Sequence, residues 1–355
     1  MIFLHPEESR SWRQLATRIT ETGKPPFALN KLVRPGLIPA FHYFIGTRFL
    51  AMNKSERGRQ WITAGLAGEE GGLFSNAYLS SFLERHNDKL VIPETIFADP
   101  GPYIHFAGTP CLVSSRKNFR KHCTETLPSY SKPIRIMDIG CGHGIMLMEL
   151  LQELKASGNI EGVEEVLLID PSEAMLKLAV ENISRAFPEA GIRTSHARIE
   201  AVTEEIEGHY DLALSSIAYH HMPYEIKLEN LRKLKEHIDR FILFEVEANH
   251  DTPDINSPEL ALSVYQVYGG IMDFVFEHDA PVELAISSID RFLMSEVIYF
   301  FLEPRGKRSD YHMLRSQWHQ LFTEGLGEDF SCSCDSICYG DKNVVFFTMI
   351  YGKAG

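Results

Sequence analysis

The sequence predicts an α/β fold: a doubly wound, mostly parallel sheet of seven strands, preceded by a helical N-terminal domain and carrying a helical insertion after the fifth strand. The first supporting observation is the regular alternation of short apolar strand-like segments with helical ones over residues 131–355. The second is a glycine-rich turn directly after the first of these strands. The third is that apolar residues recur at helical spacing within residues 1–130 and again within about 250–308.

The N-terminal region is expected to form a helical domain and a connection, and to cover the substrate. Apolar residues recur at helical spacing in three of its segments, residues 35–52, 60–67 and 76–84. Residues 1 to about 95 are predicted to form the domain, and prolines and glycines mark the connection that follows. A last helix is predicted over Ser114 to Thr126. A chain of 355 residues is long for one α/β unit, so two domains or one domain with a large extension are expected.

Five strands with helices between them are predicted near residues 134–139, 165–170, 191–196, 210–215 and 240–247. Two final strands are predicted near residues 330–338 and 343–351. The insertion after the fifth strand is rich in large apolar residues. Ligands of open α/β sheets bind at the carboxyl ends of the strands, so the insertion is expected to form a lid there. The alternative is a dimer interface, since exposed apolar helices require a partner.

The turn after the first strand has the sequence Asp138-Ile-Gly-Cys-Gly-His-Gly144. Its glycines let the backbone turn tightly and approach a ligand without an intervening Cβ. The spacing G-x-G-x-G differs from the dinucleotide motif G-x-G-x-x-G and from the phosphate loop that ends in Gly-Lys-Ser/Thr, so a pyrophosphate ligand is not the first choice. The next strand ends in Asp170, where a carboxylate can accept from both ribose hydroxyls of an adenosine.

Three segments taken together resemble the class I S-adenosylmethionine-dependent methyltransferases: residues 138–144, Ile169-Asp-Pro-Ser172, and Tyr210 to Pro223. They occur in the family's order and at its spacing, and the resemblance covers residues 131–355. It implies a Rossmann-like sheet closed by an antiparallel hairpin, with S-adenosylmethionine as the cofactor. A nucleotide-binding relative that uses another ligand is the alternative.

The resemblance also implies which residues hold the cofactor. The methionine half would be lined by Asp138, Gly140, Cys141, Gly142 and Gly144, with Ser215 or Ser216 beside it. Asp170 and Pro171 would lie at the ribose. Arg198 stands where the family usually carries an Asp that contacts the adenine amino group, which leaves the adenine to the backbone of Arg198 and Ile199, to the side chain of Met175, or to Glu200.

Candidate catalytic residues follow the fourth and fifth strands. Tyr219, His220 and His221 follow strand four, where the family places residues that face the substrate, and a histidine near neutral pH suits proton removal. Alternatively, this segment is a structural helix cap. Glu245 is a further candidate at the end of strand five, unless it is solvated or paired with Arg or Lys.

Substrate contacts are predicted from residues that lie beside these positions. Glu247 and Asn249 follow Glu245 at the end of strand five, and Tyr103 and Arg116 lie just upstream of the first strand. A basic turn holds Arg305, Lys307 and Arg308, which would bind a carboxylate or phosphate or form a plain basic surface.

The cysteines predict no metal site. Cys332, Cys334 and Cys338 follow the alternation of a strand, with Cys332 and Cys334 on the same face, and they lack the C-x2-C spacing and fourth ligand of a zinc site. We therefore expect a structural strand and no bound metal.

The composition limits the classes of partner that are expected. The net charge of -13 argues against a nucleic-acid substrate, because such affinity depends on Lys and Arg at phosphates. The sequence has no apolar stretch of membrane-spanning length and no signal-peptide pattern at its start, so we expect a cytoplasmic protein without a membrane partner. The expected partners are a small-molecule substrate and a second copy of the chain in a homodimer.

The sequence thus predicts a methyltransferase acting on a small acceptor, amino-acid-like or a natural-product intermediate. The motifs position the cofactor without revealing which carbon of its sulfonium is attacked. The first alternative is therefore aminocarboxypropyl transfer or intramolecular cyclisation with release of methylthioadenosine. The second is a non-enzymatic binding or assembly role.

Overall fold

The computed structural model describes residues 1–23, 30–92 and 99–353 of the chain. Within them, one sheet contains β1 (Ile134–Ile139), β2 (Val163–Ile169), β3 (Gly191–Ser195), β4 (Tyr210–Ser216), β5 (Ile238–Val246), β6 (Phe330–Gly340) and β7 (Val345–Lys353). The strand order is β3-β2-β1-β4-β5-β7-β6. β1 to β5 are parallel, and β7 runs antiparallel to both β5 and β6. The predicted seven-stranded sheet is confirmed, and every strand lies within two residues of its predicted bounds.

The helices of the described residues are α1 (Pro6–Thr22), α2 (Ile38–Ala51), α3 (Ser55–Leu66), α4 (Ser75–Arg85), α5 (Gly101–Ala107), α6 (Pro110–Thr126), α7 (Ile145–Ala156), α8 (Glu173–Ala186), α9 (Ile199–Val202), α10 (Tyr224–Leu234), α11 (Pro258–Phe276), α12 (Val282–Ser288), α13 (Met294–Leu302) and α14 (Arg315–Leu326). A π-helical turn, Ile289–Leu293, joins α12 to α13. The helical N-terminal region and the helical insertion are confirmed. α6 begins four residues before the predicted Ser114, because Pro110 occupies its first turn, where a missing N–H has no cost.

The sheet separates two apolar cores. Ile136 and Val166 point into the core beneath α6, α7 and α8, whereas their neighbours Met137 and Leu167 point into the core beneath α10 and α14. Successive side chains of a strand face opposite sides of the sheet, so these buried strands are apolar throughout. The chain order reverses between β1 and β4, which opens a crevice at the carboxyl ends of these two strands.

The N-terminal helices pack against the insertion, and together α1–α4 and α11–α13 form what we call the helical cap. Gln266 of α11 exchanges two hydrogen bonds of 2.7 and 2.9 Å with the backbone of Ile2. Arg85 of α4 pairs with Asp290 at 2.5 and 2.7 Å. Nearly all of α11 is buried. The apolar surface that suggested a dimer interface is therefore covered within the chain, and the homodimer stays a prediction without this support.

The cysteines of β6 correct one expectation. Register irregularities interrupt the pairing of β6 with β7 between Cys332 and Cys334 and again between Ile337 and Tyr339. Cys332 is consequently exposed while Cys334 is buried, so the two do not share a face as predicted. An extra residue at a bulge shifts the alternation of side chains, and such a shift leaves no mark in the sequence pattern.

No helix among the described residues has both the length and the apolar character needed to cross a lipid bilayer.

Candidate active site

A cavity of about 350 Å³ lies at the carboxyl ends of β1, β4 and β5, beneath the insertion. Its apolar wall is formed by Phe106, Leu112, Ile271, Phe292 and Phe346. Its polar end is formed by His220, His221, Glu296, Asp310 and His312. α11 and α13 supply part of the roof, while among residues 1–92 as far as they are described only Ile92 reaches the cavity. α1–α4 therefore contribute by holding α11 in place.

The glycine turn forms the floor of this cavity. Gly140, Gly142 and Gly144 all have positive φ, of 69°, 51° and 76°. A Cβ on Gly140 would lie 2.3 Å from the Cβ of Ala218, and one on Gly144 would lie 2.9 Å from the Cα of Ala179. Residues with a side chain rarely adopt this backbone, so the turn requires glycine for its conformation and for the close approach of its neighbours.

Asp170 holds the turn in place. Its carboxylate accepts the backbone N–H of Gly142 at 2.9 Å and that of Ser172 at 2.8 Å. It also lines the cavity, and burial raises its pKa. An oxygen that accepts one hydrogen bond keeps a second lone pair, so Asp170 can bind a hydroxyl as well as order the loop.

Asp138 lies under the turn with an unsatisfied carboxylate oxygen. The residue is 2% exposed, and its Oδ1 has no hydrogen-bond partner. Burial, and secondly the charge of Asp170, raise the pKa of Asp138 to about 8. Asp138 does not itself line the cavity, whereas Gly140 and Gly142 of the turn do. A buried ionised carboxylate without a partner is unfavourable, so a cationic ligand at the turn would stabilise its charged form.

This raised pKa predicts that a cationic ligand releases a proton when it binds. Binding favours the ionised Asp138, so the affinity for S-adenosylmethionine should rise up to about tenfold per unit as the pH increases towards 8 and level off above it. Calorimetry in two buffers of different ionisation enthalpy should detect up to about one proton released per site at pH 7. Asp138→Asn should bind more weakly and show no such dependence, and a wild-type affinity that is constant between pH 6 and 8 would contradict the assignment.

The predicted adenine and ribose residues lie together at one side of the cavity. Pro171, Met175, Arg198 and Ile199 all line it. The Arg198 side chain donates to Glu200 at 2.6 Å and to the backbone carbonyl of His221 at 2.7 Å. Its guanidinium therefore ties the loop after β3 to the loop after β4 and does not replace the missing Asp as an adenine contact.

Tyr103 and Arg116 also line the cavity, at the other side of the glycine turn. The Tyr103 hydroxyl lies 3.5 Å from where a Cβ on Gly142 would stand, and its ring packs edge-on against His143. Arg116 donates to the carbonyl of Ala107 at 2.5 Å. Both predicted substrate residues thus face the cavity beside the turn.

The polar end is a cluster of histidines and carboxylates. His220 Nδ1 lies 2.9 and 3.0 Å from the two carboxylate oxygens of Glu245. On the other side of the ring, His220 Nε2 lies 3.4 Å from Asp310, which is also 2.9 Å from His221 Nδ1. The ring of His312 lies against that of His220, with the centroids 3.8 Å apart.

The two carboxylates change the predicted role of His220. Burial lowers the pKa of His220. The charges and hydrogen bonds of Glu245 and Asp310 have a larger effect in the opposite direction, so the pKa is raised to about 10. Burial and the neighbouring charge of His220 lower the pKa of His312 to about 4. In this arrangement His220 carries a proton at neutral pH, so the prediction that it acts as a base is not supported by its surroundings.

Several predicted site residues face away from the cavity. Tyr219 is buried in the core beneath α10, where its hydroxyl donates to Asn230, and Ser215 donates to the Ile139 carbonyl while Ser216 lines the cavity. Cys141 is buried in the turn, and Glu245 lies behind His220. For Ser215 and Glu245 the physical reason is the alternation of side chains along a strand, where successive residues face opposite sides of the sheet. Tyr219 lies in a short 3-10 turn and Cys141 in the glycine turn, where local packing sets the direction of the side chain.

The predicted substrate residues after β5 have structural roles. Glu247 accepts the backbone N–H of Arg315 at 3.2 Å, at the first residue of α14. The backbone N–H of Asn249 donates to Ser263, and its side chain accepts from Thr252. Neither residue lines the cavity.

The basic turn is also structural. Arg305 pairs with Asp251 and Glu225, and Arg308 is buried and donates to the carbonyls of His250 and Pro253. Lys307 is exposed. The two arginines hold the segment that carries the cavity residues Asp310 and His312.

Sequence reasoning missed His143, Glu296, Asp310 and His312, all of which line the cavity. Asp310 and His312 follow the basic turn that holds Arg305, Lys307 and Arg308. Asp310 and His312 are far from His220 along the chain, so no local sequence pattern links them to it.

Comparison with known proteins identifies the domain. Residues 136–240 match a family described as a methyltransferase domain. This segment is a class I S-adenosylmethionine-dependent methyltransferase domain. The resemblance seen in the sequence is confirmed, and with it the cofactor, S-adenosylmethionine. No curated protein matches the sequence.

Two solved structures illustrate the likeness. SCL7 from Oryza sativa has 14% sequence identity over 82% of this chain and 93% of its own, with a TM-score of 0.59. Magnesium protoporphyrin IX methyltransferase ChlM from Synechocystis PCC 6803, solved with S-adenosylhomocysteine, has 15% identity over 73% of this chain and 97% of its own, with a TM-score of 0.43. The likeness to SCL7 supports the fold alone, and its coverage extends well beyond residues 136–240.

Proposed function

We propose that this chain transfers the methyl group of S-adenosylmethionine to a small-molecule acceptor bound in the cavity. The observation that carries the proposal is one continuous cavity that extends from the glycine turn to the polar cluster, with the insertion above it. A volume of about 350 Å³ lies within the range of roughly 300–1,000 Å³ that is common for small-molecule sites.

The residues of the turn fit the cofactor. The unpartnered oxygen of Asp138 favours the cationic methionine half, and Asp170 retains acceptor capacity for the ribose. Met175 and Ile199 offer apolar surface to the adenine. The bound cofactor supplies an electrophilic methyl group on its sulfonium. The chain's contribution is to orient the two reactants and to exclude water, which lowers the barrier of an in-line displacement.

The acceptor is proposed to be a small molecule with an apolar body and one polar group. The apolar wall, including Phe106 and Phe292, suits the body, and the polar end suits the nucleophile. His221 is the predicted catalytic residue that faces this end with part of its side chain accessible. A polyanionic acceptor is disfavoured by the net charge of -13.

Product analysis tests this function directly. The purified protein is incubated with S-adenosylmethionine and a panel of amino acids, phenols and amines, and the products are identified by mass spectrometry. Methyl transfer predicts S-adenosylhomocysteine in amounts that depend on the acceptor. Gly140→Ala serves as the cofactor-deficient control. Methylthioadenosine would instead indicate aminocarboxypropyl transfer or cyclisation, and neither product, despite measured cofactor binding, would indicate a non-enzymatic role.

A further inference from the structure

We infer that His220, His221 and Asp310 form a binding site for one divalent transition-metal ion at the polar end of the cavity. All three line the cavity, and one potential ligand atom from each lies within 4.8 Å of the other two. The inference departs from the sequence prediction of no metal, which considered the cysteines. Ion binding goes beyond the proposed methyl transfer and does not depend on it.

The decisive atom is Oδ1 of Asp310, in a side chain that is completely buried. This oxygen lies 2.9 Å from His221 Nδ1 and 3.4 Å from His220 Nε2, close to both ring nitrogens but without well-aligned hydrogen-bond geometry to either. The three atoms therefore converge on a common region. His221 Nδ1 also lies 3.1 Å from the Ser309 carbonyl, a contact that an ion at this position would replace. Metal–ligand bonds of about 2.0–2.2 Å place neighbouring ligand atoms about 3–3.5 Å apart. The distance of 3.4 Å lies in this range and that of 2.9 Å just below it.

Glu245 supplies the support that metal-binding histidines usually have. Its carboxylate accepts from His220 Nδ1 at 2.9 and 3.0 Å, which turns Nε2 towards Asp310. A carboxylate that holds the far nitrogen of a ligand histidine fixes the tautomer and the ring orientation. The ion would replace the proton that His220 Nε2 carries in its absence. The other ligand segment is held as well, because the backbone N–H of Tyr311 donates to the His220 carbonyl at 2.7 Å.

The local charge also favours a cation. Glu245 and Asp310 are both fully buried, and their ion-pair partners among the described residues are histidines, with no lysine or arginine. The nearby cations are engaged elsewhere: Lys227 with Asp251, and Arg308 with backbone carbonyls. A bound divalent ion would offset the two carboxylates in a region where unpaired charge is costly.

The ligand types indicate the class of ion. Two imidazole nitrogens and one carboxylate oxygen suit Zn²⁺, Fe²⁺, Mn²⁺ or Co²⁺, whereas Ca²⁺ and Mg²⁺ prefer oxygen ligands alone. His221 is partly exposed to the cavity, so the remaining coordination positions face it. An acceptor oxygen or nitrogen bound there would be positioned and its pKa lowered. Only this effect of the ion on an acceptor rests on the proposed function.

Metal content and cobalt titration test the site without cofactor or acceptor. Elemental analysis of protein grown with added zinc, iron and manganese should find about one ion per chain. The chelator-treated protein titrated with Co²⁺ should develop the visible absorption of nitrogen- and oxygen-bound cobalt. We expect His221→Gln and Asp310→Asn to weaken Co²⁺ binding at least tenfold, and Glu245→Gln to weaken it roughly 10- to 100-fold.

The matched control is His319→Gln, which removes a histidine that also contacts a carboxylate, Asp335, at the surface of α14. It should bind Co²⁺ like the unaltered protein. His221 is partly exposed, so its variant should fold, and circular dichroism verifies this. Absence of a bound ion in the folded protein, or equal losses in the His221 and His319 variants, would overturn the site. A bound ion without methyl transfer would support the metal site and reject the proposed function. Methyl transfer by a protein that binds no ion would support the proposed function and reject the metal site.

Discussion

Replacing Gly140 by alanine is expected to abolish measurable binding of S-adenosylmethionine. The residue has a φ of 69°, and an added Cβ would lie 2.3 Å from the Cβ of Ala218 in the loop after β4. The turn must then move, together with the Gly142 amide that Asp170 holds. A left-handed conformation costs a residue with a side chain about 1–2 kcal/mol before any collision. We expect an affinity loss of more than about thirtyfold, equivalent to about 2 kcal/mol, by calorimetry.

Gly158→Ala is the matched control for this substitution. Gly158 has a similarly positive φ of 79°, but a Cβ there would meet nothing within 4 Å. It follows α7 at the opposite end from the glycine turn. Its alanine variant should lose about 1 kcal/mol of stability from backbone strain while its cofactor affinity remains unchanged. Equal affinity losses in the two variants would show that strain in general, and not the shape of the turn, is responsible.

Replacing Lys227 by methionine is expected to cause the largest loss of stability. Lys227 on α10 is fully buried, donates to the Tyr311 carbonyl at 2.6 Å and lies 3.7 Å from Asp251. Its ammonium also lies 4.8 Å from the centroid of the Trp318 ring. Without the ammonium, the Tyr311 carbonyl loses its donor and Asp251 keeps Arg305 as its remaining partner. A buried acceptor left without its hydrogen bond costs about 1–3 kcal/mol. The urea midpoint should fall clearly, and the segment that carries Asp310 should become more accessible to hydrogen exchange.

Lys233→Met on the same helix is the control. Lys233 pairs with Glu204 and Glu229 at the surface, with 40% of its side chain exposed. Exposed ion pairs contribute little to stability, so its urea midpoint should match that of the unaltered protein. A similar midpoint for the Lys227 variant would mean that the buried ammonium is dispensable and that the arginines alone hold the segment.

The sequence was sufficient to predict the sheet and the cofactor turn because both depend on local patterns. Apolar residues of β1, the three glycines after it and the helical spacing of α7 are contiguous, so each element is encoded within about a dozen residues. Asp170 was predictable for the same reason, since it ends the neighbouring strand of the same βαβ unit. The apolar insertion was also predictable from the sequence. Its packing partner was not, because only the folded chain shows that helices α1–α4 cover it.

The polar end of the cavity was decided by tertiary structure. His220 was predictable as a residue at a strand end, but its neighbours Asp310 and His312 come from a segment that follows the insertion, ninety residues later in the chain. The direction of a side chain at a strand end depends on packing, which is why Tyr219 faces the core and His220 the cavity. The sequence by itself was enough to predict the cofactor, because the site is built from short local motifs that resemble those of a known family. Only the folded chain determined which charges meet at the acceptor end, because burial and long-range contact set their chemistry.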